Sequence, residues 1–147
     1  MLGISIYPTK SDLTSTIEYI QLAHKYGFKR IFASLLDVND SNKDDILSLF
    51  KKVFSKAHSL DMYITIDANT RVFDTLGVSY QNLNLFKDIG ADAIRLDANF
   101  DGLTESLISY GDSGLDVELN ISSDAGNIEN ILSYAPNKQK ILGCHNF

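Results

Sequence analysis

The 147-residue sequence predicts an α/β fold of the (β/α)8 TIM-barrel type, present as an incomplete barrel of about six strand–helix units. Short apolar runs alternate with longer segments of helical periodicity, a pattern typical of βαβ units and a parallel sheet. Polar residues recur where the apolar runs end. Because the carboxyl ends of barrel strands converge on one mouth, this recurrence favours a barrel over other parallel folds.

The elements follow one another with the same local signals. The first run halts at Pro8, and Ser11 or Asp12 offers an N-cap for the helix that Gly27 ends. The second run is continuously apolar, as in parallel strands that are covered on both faces. Predicted strands occupy residues 2–7, 30–36, 62–67, 93–97, 116–121 and 140–147. Predicted helices occupy residues 13–26, 44–59, 70–76, 79–89, 103–110 and 127–134.

Composition limits the classes of function. The net charge of −6 argues against nucleic-acid binding, which needs a basic face. The single cysteine, Cys144, excludes an internal disulfide. The sequence shows no signal peptide and no apolar run of the roughly 20 residues that a membrane span needs. We therefore expect no nucleic-acid partner, no membrane partner and a cytoplasmic location. No glycine-rich phosphate motif opens a helix, and we expect neither cofactor nor metal.

The polar residues at the strand ends form the predicted site. One or two such residues would be turn formers in any fold, but a polar residue at nearly every strand end is the arrangement of a barrel mouth. The residues in this series are Tyr7, Ser34, Asp67, Asp97, Asn120, His145 and Asn146.

Alternation along the strands adds two more charged side chains to the inward face. Arg95 shares a face with Asp97, and Glu118 falls on the polar face of the fifth strand. Buried charge is costly unless it is paired, so we expect Arg95 to pair with Asp97, Asp67 or Glu118. Plainer interpretations remain: Arg95 and Glu118 as one structural ion pair, the two aspartates as helix caps, and His145 as a polar residue near a chain end.

Seven short motifs occur in order along the chain: LGISIYP at 2–8, GFKRIFASLL at 27–36, RVF at 71–73, LGVS at 76–79, IRLD at 94–97, ELN at 118–120 and GCHNF at 143–147. Together they resemble the N-terminal barrel domain of the bacterial 6-phospho-N-acetylmuramidases. The resemblance runs from Met1 to Phe147. It implies a cytoplasmic glycosidase of cell-wall recycling that cleaves N-acetylmuramic acid 6-phosphate from N-acetylglucosamine, with the phosphorylated amino-sugar disaccharide as its small-molecule partner.

The family also implies a domain organisation. Its members carry a complete barrel followed by a small cyclophilin-like domain, whereas this sequence ends at the sixth predicted strand. We therefore expect residues 1–147 to be a partial barrel domain, with the C-terminal barrel units and the cyclophilin-like domain absent. The loops after strands seven and eight often bind phosphate in barrels, so whether this chain alone is active stays open.

Glycosidic cleavage generally uses two carboxyl groups, one as the acid and the other as base or nucleophile. The candidate catalytic residues are Asp97, Glu118 and Asp67, with the two roles unassigned. Arg95 is placed to lower the pKa of one carboxylate, while another stays protonated as the acid. The candidates for holding sugar hydroxyls, the acetamido group or the lactyl acid are Tyr7, Ser34, Arg95, Asn120, His145 and Asn146.

Two alternatives remain open at this point. The first is a barrel lyase or aldolase that acts on a phosphorylated sugar, although no strand end carries a lysine for a Schiff base. The second is a non-catalytic partial-barrel fragment. Six parallel strands would leave the first and last strands as open edges, so we expect self-association or marginal stability of the chain.

Overall fold

Six parallel strands form one sheet in the order β1-β2-β3-β4-β5-β6 in the computed structural model, which describes residues 2–7, 10–97, 113–121 and 141–146. Consecutive strands are neighbours throughout, as in a (β/α) barrel, and this confirms the predicted fold class. The register shifts once, between Val117 and Glu118, where β5 pairs with β6. The strands are β1 Gly3–Ile6, β2 Arg30–Ser34, β3 Tyr63–Asp67, β4 Ala93–Asp97, β5 Asp116–Ile121 and β6 Ile141–Asn146.

Four helices lie between the first four strands. The Asp12 carboxylate accepts a hydrogen bond from the Ser15 amide at the start of α1, as its predicted capping role requires. Gly77, at φ 63°, ends α3 in the left-handed conformation that glycine adopts without strain. The helices are α1 Leu13–Lys25, α2 Lys43–His58, α3 Thr70–Leu76 and α4 Asn84–Asp88. The helices predicted at 103–110 and 127–134 lie outside the described residues.

The helix α4 is shorter than the sequence predicts. Periodicity predicted a helix over 79–89, but only Asn84–Asp88 is helical. The Ser79 hydroxyl accepts a hydrogen bond from the Gln81 amide, and the Asn82 side chain accepts one from the Asn84 amide. These local side-chain bonds satisfy amides that a helix would have used, which is why Ser and Asn favour turns.

The core lies between the outer face of the sheet and the helices. Alternate strand residues such as Ile64, Ile66 and Ile94 are fully buried there, and they pack with the α2 phenylalanines Phe50 and Phe54. The opposite face of the sheet is polar, as alternation predicts. Within the described residues, no helix is long and apolar enough to cross a membrane.

Contacts between non-neighbouring strands show that the sheet is strongly curved. The Tyr63 hydroxyl on β3 donates a 2.7 Å hydrogen bond to Asp116 on β5, although β4 lies between these strands. Burial, followed by this contact with Asp116, raises the pKa of the Tyr63 phenol. The polar face is therefore the concave interior of the barrel.

Candidate active site

Four of the predicted site residues lie at the carboxyl ends of neighbouring strands on the concave face, three as the last residue and Asn120 as the last but one. Ser34 ends β2 and Asp67 ends β3, and these two residues are register partners. Asp97 ends β4 and pairs in register with Asn120 on β5. Parallel pairing thus brings these four residues to one end of the sheet, where a barrel carries its catalytic groups.

The remaining strand-end candidates are placed less closely. Tyr7 follows β1 at the same end, but its side chain is half-exposed and lines a separate cavity of about 250 Å³ between β1 and α1. The ammonium of Lys10 lies 5.6 Å from the Tyr7 ring centroid in that cavity. His145 and Asn146 pair in backbone register with Asn120 and Ile121, and their side chains lie outside the described part of the structure.

Asp67 is a largely buried carboxyl group that faces an arginine. Its side chain is only 12% exposed, and Nε of Arg95 lies 3.2 Å from its Oδ1. Burial raises the pKa of Asp67, Arg95 opposes this effect, and the nearby charge of Asp97 raises the pKa further. The net direction is upward, so the arginine does not fully compensate for the loss of solvent.

Asp97 occupies a more polar environment than Asp67. The Nδ2 amide of Asn120 donates a 2.7 Å hydrogen bond to Oδ1 of Asp97. Oδ1 of Asn120 itself is buried and has no hydrogen-bond partner among the described residues. The two aspartates on adjacent strands therefore differ in burial and in hydrogen bonding.

Arg95 lies between the aspartate site and the barrel interior. Of the three partners that the sequence left open for it, the structure selects Asp67. Its guanidinium also stacks on the Phe32 ring, 4.7 Å from the ring centroid. A cation on an aromatic face is held in a fixed orientation, so Phe32 positions Arg95.

Glu118 is more buried than Asp67, with a side chain that is 4% exposed. It is buried and forms an ion pair with Arg30, the first residue of β2. The hydroxyl of Thr65 donates a 2.9 Å hydrogen bond to Glu118 and accepts one of 2.8 Å from Arg30. In the described part of the chain, Glu118 therefore pairs with Arg30, and the expected alternative of an ion pair with Arg95 is not found.

Sequence reasoning missed Arg30 and Thr65. Their signal was present, because Arg30 shares the inward face of β2 with Phe32 and Ser34 at a period of two. The strand-end pattern did not include Arg30, because Arg30 is the first residue of its strand and not the last. A further cavity of about 310 Å³ opens beside this pair, with Arg30, Arg95 and Glu118 in its wall.

The described residues contain no group of three or more His, Cys, Asp or Glu side chains that could hold a metal ion. At the carboxyl ends of β3 and β4, the chemistry visible is that of two differently placed carboxyl groups, Asp67 and Asp97, and the arginine Arg95. That set can transfer a proton and stabilise developing charge.

Solved structures share this architecture. A B. cereus protein of uncharacterized function is 40% identical with a TM-score of 0.77, and the match covers 99% of this chain and 38% of that one. A conserved Enterococcus faecalis protein of unknown function is 19% identical with a TM-score of 0.75, over 99% of this chain and 39% of that one. This chain therefore spans less than two fifths of the length of either structure.

A more distant likeness shows the fold alone. The N-acetylneuraminic acid synthetase of Leptospira borgpetersenii is 16% identical with a TM-score of 0.65, over 99% of this chain and 53% of that one. A comparison with curated proteins gave no match.

The sequence itself matches a family model along nearly its whole length. The model is that of the 6-phospho-N-acetylmuramidase N-terminal domain, and it covers residues 2–147. The family resemblance of the strand-end motifs is thereby confirmed, and this chain belongs to the family of 6-phospho-N-acetylmuramidase N-terminal domains.

Proposed function

We propose that this chain supplies the catalytic carboxyl groups of a cytoplasmic glycoside hydrolase of peptidoglycan recycling. The reaction is hydrolysis of the bond between N-acetylmuramic acid 6-phosphate and N-acetylglucosamine. The observation that carries the proposal is the pair Asp67 and Asp97, which end adjacent strands in contrasting environments. Glycosidases depend on such a contrast, because one carboxyl group must hold a proton that the other has lost.

Asp67 takes the role of general acid. Its burial favours the protonated form, which can donate a proton to the oxygen of the leaving N-acetylglucosamine. The charge of Asp97 acts in the same direction, since two neighbouring carboxylates resist joint ionisation. After the glycosidic bond breaks, Arg95 stabilises the carboxylate that Asp67 has become.

Asp97 takes the role of base or nucleophile. The Asn120 amide fixes one carboxylate oxygen at 2.7 Å, and no described residue donates a hydrogen bond to the other, which acts on water or on the sugar carbon in this proposal. In this proposal Ser34, which ends the strand next to Asp67 and accepts a hydrogen bond from the Leu36 amide, donates its hydroxyl proton to a sugar hydroxyl. Glu118, whose carboxylate is already paired with Arg30, is a weaker candidate for either step.

Two further observations support a hydrolase. The family model that matches residues 2–147 is named for 6-phospho-N-acetylmuramidase activity. None of the six strands contains a lysine, so the strand ends offer no Schiff-base nucleophile of the kind that an aldolase uses. Because the chain spans only part of its relatives' length, the activity is assigned to the complete product of the gene.

The test compares two substrates in the complete gene product. One is the 6-phosphorylated disaccharide, and the other is a 4-nitrophenyl glycoside of the same phosphorylated sugar, whose leaving group needs little help from an acid. Asp67→Asn should lower kcat on the disaccharide by about 10²- to 10⁴-fold, as loss of a general acid does, and should lower it far less on the nitrophenyl substrate. Asp97→Asn should lose activity on both.

The matched control is Asp116→Asn. Asp116 also lies on the inner face of the barrel, but it is bonded to Tyr63 at the other end of the strands, and its variant should keep turnover on both substrates. If the wild-type protein releases no N-acetylglucosamine, the proposed reaction is wrong. Equal losses of Asp67→Asn on both substrates would overturn its role as the acid.

A further inference from the structure

The two arginines of the barrel interior are paired to very different degrees. Arg30 forms an ion pair with Glu118 and donates a hydrogen bond to Thr65. Arg95 approaches Asp67 only through Nε, at 3.2 Å, and this contact lacks hydrogen-bond alignment. Among the described residues, the guanidinium of Arg30 is therefore bonded to two partners, whereas Nε of Arg95 makes no well-aligned hydrogen bond.

The charge balance points in the same direction. Arg30 and Glu118 neutralise each other, whereas burial favours the neutral form of Asp67, the ion-pair partner of Arg95. When Asp67 holds its proton, Arg95 loses the charge of its ion-pair partner, and the carboxylate next to it on β5, Glu118, is paired with Arg30. A cation in a site largely removed from water needs an anion.

The position of Arg95 suits a bound ligand. Its side chain is 18% exposed and lines the cavity of about 310 Å³, and its Cζ lies over the Phe32 ring, 4.7 Å from the ring centroid. Ser5 lies in the same wall and adds a hydroxyl. A planar fork held on an aromatic ring and open to a cavity matches the bidentate geometry of a carboxylate or phosphate.

We propose that Arg95 is the residue of this chain that recognises an oxyanion of the substrate, either the 6-phosphate or the lactyl carboxylate of the muramic acid unit. This inference rests on the proposed function, because it takes its ligand from the same substrate. It adds that the ligand's charge neutralises Arg95 while Asp67 keeps the proton that it will donate. Binding of the substrate anion to Arg95 thus favours the protonated form of Asp67.

The experiment measures kcat and KM of Arg95→Met and Arg95→Lys, in the complete gene product, on three disaccharides. The first carries both anions, the second lacks the phosphate, and the third lacks the lactyl group. Arg95→Met should lower kcat/KM by about 100-fold, mainly through KM, on substrates that carry the recognised anion, and by only a few-fold on the one that lacks it. The substrate on which Arg95→Met has little effect is the one that lacks the anion recognised by Arg95.

Arg95→Lys keeps the positive charge beside Asp67 but cannot form the two parallel hydrogen bonds of a guanidinium. Its KM should therefore lie between that of Arg95→Met and that of the wild type. Lys51→Met, on the exposed surface of α2, removes a positive charge elsewhere and should leave all three substrates unaffected. An equal loss by Arg95→Met on all three substrates would overturn the inference, because Arg95 would then act only through Asp67.

A binding measurement separates this inference from the proposed reaction. Titration of N-acetylmuramic acid 6-phosphate by calorimetry needs no turnover, and its Kd should weaken by about 100-fold in Arg95→Met. If the wild-type protein binds this sugar through Arg95 but cleaves no disaccharide, the reaction fails and the anion site stands. Unchanged Kd values for the folded Arg95→Met and Arg95→Lys variants would overturn the anion site.

Discussion

Arg30 and Glu118 form an ion pair across the interior of the barrel, although β3 and β4 separate their strands in the sheet. Three strand spacings of a flat sheet would place β2 and β5 about 14 Å apart. The contact therefore requires the curvature that also creates the mouth. Thr65, on the intervening β3, bonds to both partners and completes the polar interior.

This ion pair contributes to stability. Removal of one partner leaves a buried charge uncompensated, so Glu118→Gln and Arg30→Met should each lower the free energy of unfolding by about 2–3 kcal/mol. This is less than the ~3–5 kcal/mol of a fully buried pair, because the Arg30 side chain is 30% exposed. Urea denaturation of both variants and of the double variant Arg30→Met/Glu118→Leu measures the effect. The loss of unfolding free energy in the double variant should be smaller than the sum of the losses in the two single variants.

An exposed ion pair supplies the control for that experiment. The Asp40 side chain is 90% exposed in its pair with Lys43, and Asp40→Asn should change the free energy of unfolding by no more than about 0.5 kcal/mol. Additive losses in the double variant would contradict a direct coupling between Arg30 and Glu118.

Stability should depend on pH through Asp67. Its pKa is raised in the folded protein, so the folded state binds the proton more tightly than the unfolded state does. The stability of the wild type relative to Asp67→Asn should therefore be highest below the ordinary aspartate pKa of about 4, and should fall as the pH rises through the folded-state pKa. Urea denaturation of both proteins between pH 4 and pH 8 tests this slope.

Asp12 provides a control of opposite sign. Hydrogen bonds from the amide and the hydroxyl of Ser15 lower the pKa of Asp12, so its contribution is present above the ordinary aspartate pKa and is lost as the pH falls through the folded-state value. Wild type compared with Asp12→Asn should thus show the reverse trend. If the stability contributions of Asp67 and Asp12 changed in the same direction with pH, the burial assigned to Asp67 or the hydrogen bonding assigned to Asp12 would be wrong.

We also propose that the chain self-associates through an exposed apolar stripe on and just after α1. The stripe consists of three apolar side chains spaced three and four residues apart, two on α1 and one on its C-cap residue: Tyr19 is 47%, Leu22 53% and Tyr26 70% exposed. Within the described part of the sheet, β1 pairs only with β2. Exposed edges and apolar stripes favour association, with a second copy as the expected partner.

Sedimentation of the 147-residue chain tests this proposal. Leu22→Lys with Tyr26→Lys should shift the chain toward the monomer at concentrations where the wild type is larger. Gln21→Lys adds a charge to the same helix outside the stripe and should leave the wild-type distribution unchanged. A monomeric wild type with a sharp thermal transition would contradict the proposal.

The sequence by itself determined the elements and the face on which each residue falls. Period-two alternation in β3 and β4 placed Asp67 and Asp97 on the concave face, and the repeated order of strand, helix and glycine indicated a parallel sheet. These features are local, because the pleat and the helical period act over a few residues. The family motifs are equally local and were confirmed over residues 2–147.

Only the tertiary structure decided which charges meet. Arg95 had three candidate partners in the sequence, and Glu118 received Arg30, which no strand-end pattern had indicated. Partner choice depends on strand register and on the curvature of the sheet, which brings non-neighbouring strands together across the interior. The contrast between Asp67 and Asp97 has the same origin, because burial and hydrogen bonding are set by packing and not by residue type.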